Sequence, residues 1–380
     1  MTMTRRQALT LLAGASALPA SFAFAQAASN TEPSLKELGK RKGLRIGNAI
    51  ANAPDRFGDP AYRALMAREC NVIVCENETK WQALEPRQGH LNFGPADEMF
   101  KWAKGEGMQI RGHTLFWFPE KWLPAWVNQY DFGADGAGAA KRAEALLAKH
   151  IKEVTQHYGR DIYSYDVVNE AVDPATGEMR ENVFGKRLGA VETVDLAFRL
   201  ARENAPHAQL VYNDYMRGDA GSAKHRAGVL KMLHALKTKG APIDAVGLQS
   251  HIGSWDDVKG GSSQAIEWRK FLDEVTGMGY KLLITEFDVN DRELPGDIKR
   301  RDAGVAALAK DYLDLTLSYP QVTDFLMWGM ADHVSWLKDW DEAPRKDKLM
   351  MRGTPYDEKL RAKPLRAAIA ESLKKMPARA

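Results

Sequence analysis

Residues 162–170 read IYSYDVVNE and residues 281–289 read KLLITEFDV, two β-branched and aromatic runs that each deliver a glutamate, Glu170 and Glu286, at or near their ends. A strand often ends in a solvated charge. Here Asn169 stands beside Glu170 and Asp288 beyond Glu286, polar partners that a bare strand end does not need. Six further runs of the same kind lie around them: LRIGNAI (44–50), NVIVCE (71–76), MQIRGHTL (108–115), QLVYND (209–214), IDAVGLQSH (243–251) and TDFLMWG (323–329). The stretches between them have helical spacing, as in ADEMFKWAKGEG (96–107) and AKRAEALLAKHIKEVTQHYG (140–159), each stopped by glycine. Strand and helix alternating through eight units predict parallel βαβ pairing and a closed (β/α)₈ barrel. No repeat or linker divides it, so one domain is expected over 33–375.

The chain has 380 residues, 44% of them hydrophobic, enough for a single large core. Its first residues, TRRQALTLLAGASALPASFAFAQA, combine paired arginines, an apolar run and small-residue cleavage sites near 25–27. Residues 1–25 therefore read as a bacterial export signal resembling the twin-arginine type, with an ordinary secretory signal that begins with two arginines as the alternative, and the mature protein as periplasmic or secreted. Without Arg5 and Arg6 the formal charge falls from +3 to +1. Nucleic acid is not an expected partner at that charge, and no later stretch is long and apolar enough for membrane insertion. Cys70 and Cys75 flank NVIV at an odd separation, which points their side chains to opposite faces. Buried thiols are expected rather than a disulfide, and no Cys/His cluster has metal-ligand spacing. No phosphate-binding or dinucleotide fingerprint appears, so no cofactor is expected.

Polar residues gather at the C-terminal ends of the runs: Glu76 and Asn77 with Lys80, His113 with Trp117, Asn169 with Glu170, Asn213 with Asp214, Gln249 with His251, Glu286 with Asp288, and Trp328. In a barrel those ends share one rim, where active sites are built.

In chain order ENETKW, GHTLFW, DVVNEA, YNDY, LQSH, ITEFDV and WGMADHVSW resemble glycoside hydrolase family 10, the endo-β-1,4-xylanases, and the likeness runs from GNAI at 47 to YDEKLRAKPLRAAI at the end. The resemblance implies a barrel that hydrolyses xylan or xylo-oligosaccharides with retention, Glu170 as acid/base and Glu286 as nucleophile. Retention needs two carboxyl groups about 5–5.5 Å apart that take turns. His251, held by Asp288, would orient Glu286, and Asn169 would donate to the sugar 2-hydroxyl. Glu76, Asn77, Lys80, Gln88, His113 and Gln249 match sugar-holding positions, and Trp117, Trp328 and Trp336 the aromatic walls. The remaining tryptophans read as packing, Trp81 being nearest the cleft among them. Phe118 departs from the family, which usually has histidine there, and Thr79 replaces a common methionine. A retaining β-1,4-glucanase is the alternative enzyme, and a sugar-binding protein without activity the alternative outside catalysis. A monomer is expected.

Overall fold

In the computed structural model the described residues are 32–134, 136–255, 258–259, 261–338 and 344–379. The expected export segment, 1–25, lies outside them. From Leu35 onward the chain forms nine parallel strands: β1 (Arg45–Ile50), β2 (Val72–Cys75), β3 (Gln109–Trp117), β4 (Ile162–Asn169), β5 (Gln209–Asp214), β6 (Ala245–Leu248), β7 (His251–Gly253), β8 (Lys281–Asn290) and β9 (Val322–Met327). The order β6-β5-β4-β3-β2-β1-β9-β8 closes on itself through β6–β8 pairing, Gly247 lying opposite Leu283. Eight strands make the barrel, one from each predicted run. The sixth run contributes two pieces, because Ser250 takes a left-handed conformation (φ 62°) and pairing resumes at His251, opposite Asp288 on β8.

Helices Pro60–Glu69, Gly94–Gly105, Ala137–Tyr158, Ala190–Asn204, Ala223–Thr238, Ser263–Gly277, Ile298–Thr316 and Pro364–Lys375 follow the successive barrel strands. Their starts are set locally. Asp59, Ser262 and Asp297 each cap a first turn by accepting from a backbone N–H, and this satisfies a donor the helix itself leaves open. The strands are buried on both faces, so they read as near-continuous apolar runs instead of alternating ones. The main apolar cluster contains helix residues such as Leu147, Phe198 and Leu313 with strand residues such as Ile110 and Ile284. Val211, Ala245 and Leu283 form a separate small cluster, two residues below Asn213, Gly247 and Thr285 on the same faces of β5, β6 and β8. That layer is a floor for the polar residues above it.

Charge is also buried. Arg111 on β3 donates from Nη2 to Asp166 Oδ1 on β4 at 2.5 Å, both fully enclosed, and Asp166 Oδ2 lies 2.9 Å from His113 Nδ1. Burial pushes the Asp166 carboxyl up, but the Arg111 charge and the His113 hydrogen bond outweigh it and hold the group below its usual range. Cys70 and Cys75 are buried and unpaired with each other, as the sequence indicates. Among the described residues no helix is long and apolar enough to cross a membrane. Replacing Arg111 by Met strands Asp166 in the interior; a loss of about 3–5 kcal/mol in urea unfolding is expected, against no measurable change for Lys231→Ala on the surface, whose partner Glu178 is as exposed as itself.

Candidate active site

A cleft of about 540 Å³ opens at the C-terminal ends of the strands, and its lining includes Glu76, Asn77, Lys80, His113, Trp117, Asn169, Glu170, Gln249, His251, Glu286, Asp288, Trp328 and Trp336. These come from six barrel strands and the segments after them. Only the closed ring brings them together.

Glu286 sits on β8, with Oε1 accepting from Asn213 Nδ2 at 2.7 Å and Oε2 3.3 Å from His251 Nε2. His251 Nδ1 lies 3.0 Å from Asp288 Oδ1, and Asp288 Oδ2 accepts from Trp336 Nε1 at 2.6 Å. Burial alone would favour the neutral acid. The His251 hydrogen bond and the charges of His113 and His251 reverse that, so the Glu286 carboxyl is held below its ordinary value. Burial works against the charge of His251 too, yet Asp288 and Glu286 raise its imidazole to about 10.

Glu170 follows β4 in a left-handed conformation (φ 58°), with its backbone N–H still bonded to Asn213 O at 2.9 Å. Non-glycine residues rarely occupy that region, at a cost of about 1–3 kcal/mol. Its Oε1 accepts from Gln249 Nε2 at 2.9 Å and from Asn169 Nδ2 at 3.2 Å, its Oε2 from Trp117 Nε1 at 3.0 Å. Burial pushes this carboxyl up, the charges of Asp214 and Glu286 add to the push, and the bonds from Gln249 and Trp117 offset only part of it. Two carboxyls in one cleft are thus driven in opposite directions, the pattern of an acid beside an anion.

Amides connect the pair. Asn213 Nδ2 donates to Asn169 Oδ1 at 2.8 Å as well as to Glu286, and Gln249 Nε2 reaches Asn169 Oδ1 at 3.3 Å as well as Glu170. Thr285 Oγ1 donates to Asn213 Oδ1 at 2.6 Å, which fixes which end of that amide faces Glu286. Gly247 is what lets Asn213 fit: a Cβ there would come within 2.3 Å of Asn213 Oδ1.

Around the pair, Lys80 Nζ donates to Asn77 Oδ1 at 3.0 Å and lies 4.5 Å from the Trp117 ring centroid. Lys80 is buried, not a plain surface charge. Burial lowers its ammonium, against the pull of Glu286, Glu76 and Glu170, and burial raises Glu76. His113 packs edge-on to Trp328 and His251 edge-on to Trp336, at 5.1 and 4.9 Å. Thr79 donates to the His113 carbonyl at 2.5 Å, so the departure from methionine supplies a backbone anchor. Phe118 is fully buried against Phe116 and takes no part in the lining, while its N–H bonds Asn169 O at 2.9 Å.

Three expectations need correction. Gln88 lies in an exposed turn after the short helix Trp81–Leu84 and does not line the cleft, because the chain turns outward at Pro86. Trp81 is buried with its ring stacked 3.9 Å from His150 and is not part of the cleft lining. Trp122 and Trp255, read as packing, line the cleft, as do Lys121, Tyr215, Arg217, Asn290 and Leu337. Trp122 stacks 4.3 Å from Trp117 and stays 36% exposed. Most of these stand in segments beyond strand ends, where run patterns end, and an aromatic in such a segment is the available signal. Among the described residues no acidic, His or Cys group is arranged to hold a metal.

Residues 34–372 match the family model described as glycosyl hydrolase family 10. A β-1,4-xylanase of Dictyoglomus thermophilum is 32% identical over 329 residues, 83% of this chain and 85% of its own length. An endo-1,4-β-xylanase B of Thermotoga neapolitana is 29% identical, covering 87% of each. Among solved structures, native xylanase 10B from Thermotoga maritima superposes with a TM-score of 0.78 at 31% identity, over 90% of this chain and 98% of that one. Xylanase 10B from Thermotoga petrophila, solved in complex with xylobiose, gives 0.79 at 30% identity over 91% and 98%.

A raised folded value for His251 means stabilisation that is complete below its unfolded value near 6.5 and lost as pH rises towards 10. The difference in urea midpoint between the wild type and His251→Gln should therefore be largest near pH 6 and shrink steadily towards pH 10.

Proposed function

This chain belongs to glycosyl hydrolase family 10, and from that premise we propose that it is an exported endo-1,4-β-xylanase that cleaves xylan or xylo-oligosaccharides by double displacement. Glu286 is the nucleophile and Glu170 the acid/base. The observation that carries the reading is the opposed pull on these two buried carboxyls within one cleft.

In the first step Glu286, kept anionic by His251 and Asn213, attacks the anomeric carbon while Glu170 gives its proton to the departing oxygen. The bond from carbon to leaving group breaks as the bond to Glu286 Oε forms, and the sugar is left as an ester of Glu286. Once esterified, Glu286 no longer repels charge on Glu170. Glu170 then takes a proton from the incoming water, which displaces Glu286 and restores the starting state. Asn169 Nδ2 has a second hydrogen beyond its bond to Glu170, suited to the sugar 2-hydroxyl, where a donor counts most as positive charge develops on the ring. Lys80, Asn77 and Glu76 hold sugar hydroxyls, and Trp117, Trp328 and Trp336 wall the rings. The relatives named xylanases support the substrate class.

Reducing-end release from xylan and from carboxymethylcellulose tests this reading. Glu286→Ala should release nothing, and the wild type should act on xylan; comparable action on cellulose would replace the reading by a broader β-glycanase. Glu170→Ala should lose about 10²–10⁴-fold on xylan, and on an aryl β-xylobioside with a good leaving group azide should restore turnover and give the β-xylobiosyl azide. An α product would rule out this assignment of Glu170.

The pH profile of kcat/KM should be a bell. Its acid limb falls where Glu286 gains a proton, below the ordinary carboxylate value, and its alkaline limb where Glu170 loses one, above it. In Glu170→Ala the alkaline limb should disappear.

A further inference from the structure

Around the ring β6 stands four strands from β2, so the segment after β7 faces Glu76 and Lys80 across the barrel mouth. Trp255, Asn290 and Arg292 meet there. Pairing of β7 with β8 sets Gly253 opposite Asn290, and the Trp255 ring lies so close over Gly253 that a Cβ would come within 2.6 Å of it. Asn290 Oδ1 accepts from the Arg292 N–H at 3.1 Å, and the Arg292 guanidinium carbon lies 4.8 Å from the Trp255 ring centroid. Trp255 and Asn290 both line the cleft.

Each of the three carries a buried donor with no hydrogen-bond partner among the described residues: Trp255 Nε1, Asn290 Nδ2 and Arg292 Nε. Arg292 Nε has the Glu293 carboxylate 3.3 Å away, without the alignment of a hydrogen bond. Asn290 is only 2% exposed. Arg217 brings a second guanidinium, its carbon 5.9 Å from the Trp255 ring and its Nε bonded to Asp219 at 2.7 Å. Buried polar groups are almost always satisfied, and three unsatisfied donors in one cluster of a ligand cleft call for an acceptor from outside.

The kind of acceptor follows from the inventory. Asn290 Oδ1 already accepts one bond, from the Arg292 N–H, and a sugar hydroxyl would add a further donor to a cluster whose open groups are all donors. A carboxylate brings acceptors alone and matches the guanidinium fork in charge and shape. A guanidinium already flanks the Trp255 ring, so its place here is to hold the cations more than to stack a pyranose. We propose that Trp255, Asn290, Arg292 and Arg217 form a site for the carboxylate of a uronic-acid branch on the xylan chain, and that this enzyme prefers acid-branched xylan to the same polymer with neutral branches. The inference rests on the xylan-hydrolysis reading above.

The test compares glucuronoxylan with the same polymer after its carboxyl groups have been reduced to alcohols, which keeps every branch and removes every charge, with linear xylohexaose as the reference. The wild type should cut the acidic polymer about tenfold faster in kcat/KM, the effect of one charge-assisted hydrogen bond. In Arg217→Gln/Arg292→Gln, whose side chains are each about one-third exposed, the ratio should fall to near one. Equal or faster cutting of the reduced polymer by the wild type, while xylohexaose is cleaved, overturns the inference and leaves the parent reading intact. A tenfold ratio that survives in the double variant also overturns it. No cleavage of xylohexaose would remove the parent reading and this one together.

Discussion

Two carboxyl groups buried in one cleft cannot both stay ionised without compensation, and the architecture of the barrel mouth follows from that repulsion. Glu286 has an imidazolium, an amide donor and the nearby charge of His113; Glu170 has desolvation and the charge of Asp214 at its back. The inequality is built by neighbours on other strands, not by the glutamates themselves. His251 retains its proton because Asp288 is there, and Asp288 is fixed by the indole N–H of Trp336. Arg111, deep in the barrel, does the same for Asp166, which in turn holds His113.

The amides turn this electrostatic arrangement into a rigid one. Thr285 orients Asn213, Asn213 orients both Asn169 and Glu286, and Gln249 joins Asn169 to Glu170. Each member of this network is fixed by the next, so the two carboxyls are set relative to one another through side chains from β4, β5, β8 and the break between β6 and β7. Backbone features serve the same end. Gly247 leaves room for an amide, and left-handed Glu170 and Ser250 turn the chain where ordinary strand geometry would carry it past the cleft.

Much of this was legible in the sequence, and the reason is periodic. Eight runs, seven of them with polar or aromatic residues at one end, map onto eight strands sharing one rim, so Glu170, Glu286, His251, Asp288, Asn169 and Gln249 were all brought to the cleft that their positions imply. The split of the sixth run was not legible, since nothing in LQSH marks Ser250 as left-handed. Gln88 was misread because it lies past the end of a short helix, where the path of a turn depends on tertiary contacts. Trp122 and Trp255 were misread for a related reason: a tryptophan in an irregular segment has no periodicity to say which way it faces. Phe118 shows the limit from the other side, a departure whose side chain is absorbed into an aromatic cluster without entering the cleft.

The cleft thus divides its labour by backbone type. Glu286, Asn213 and Asn169 stand on strands locked by pairing on both sides, whereas Lys121, Trp122, Arg217 and Trp255 stand on connecting segments. Substitutions at Lys121, Trp122, Arg217 or Trp255 touch none of the bonds that join Asn169, Glu170, Asn213, Gln249 and Glu286, while a substitution at Asn213 or Asn169 disturbs several of them at once. What the cleft recognises can therefore change with little disturbance to the paired glutamates, and a search for altered specificity in this chain belongs in the segments beyond Trp117, Asp214 and Gly253.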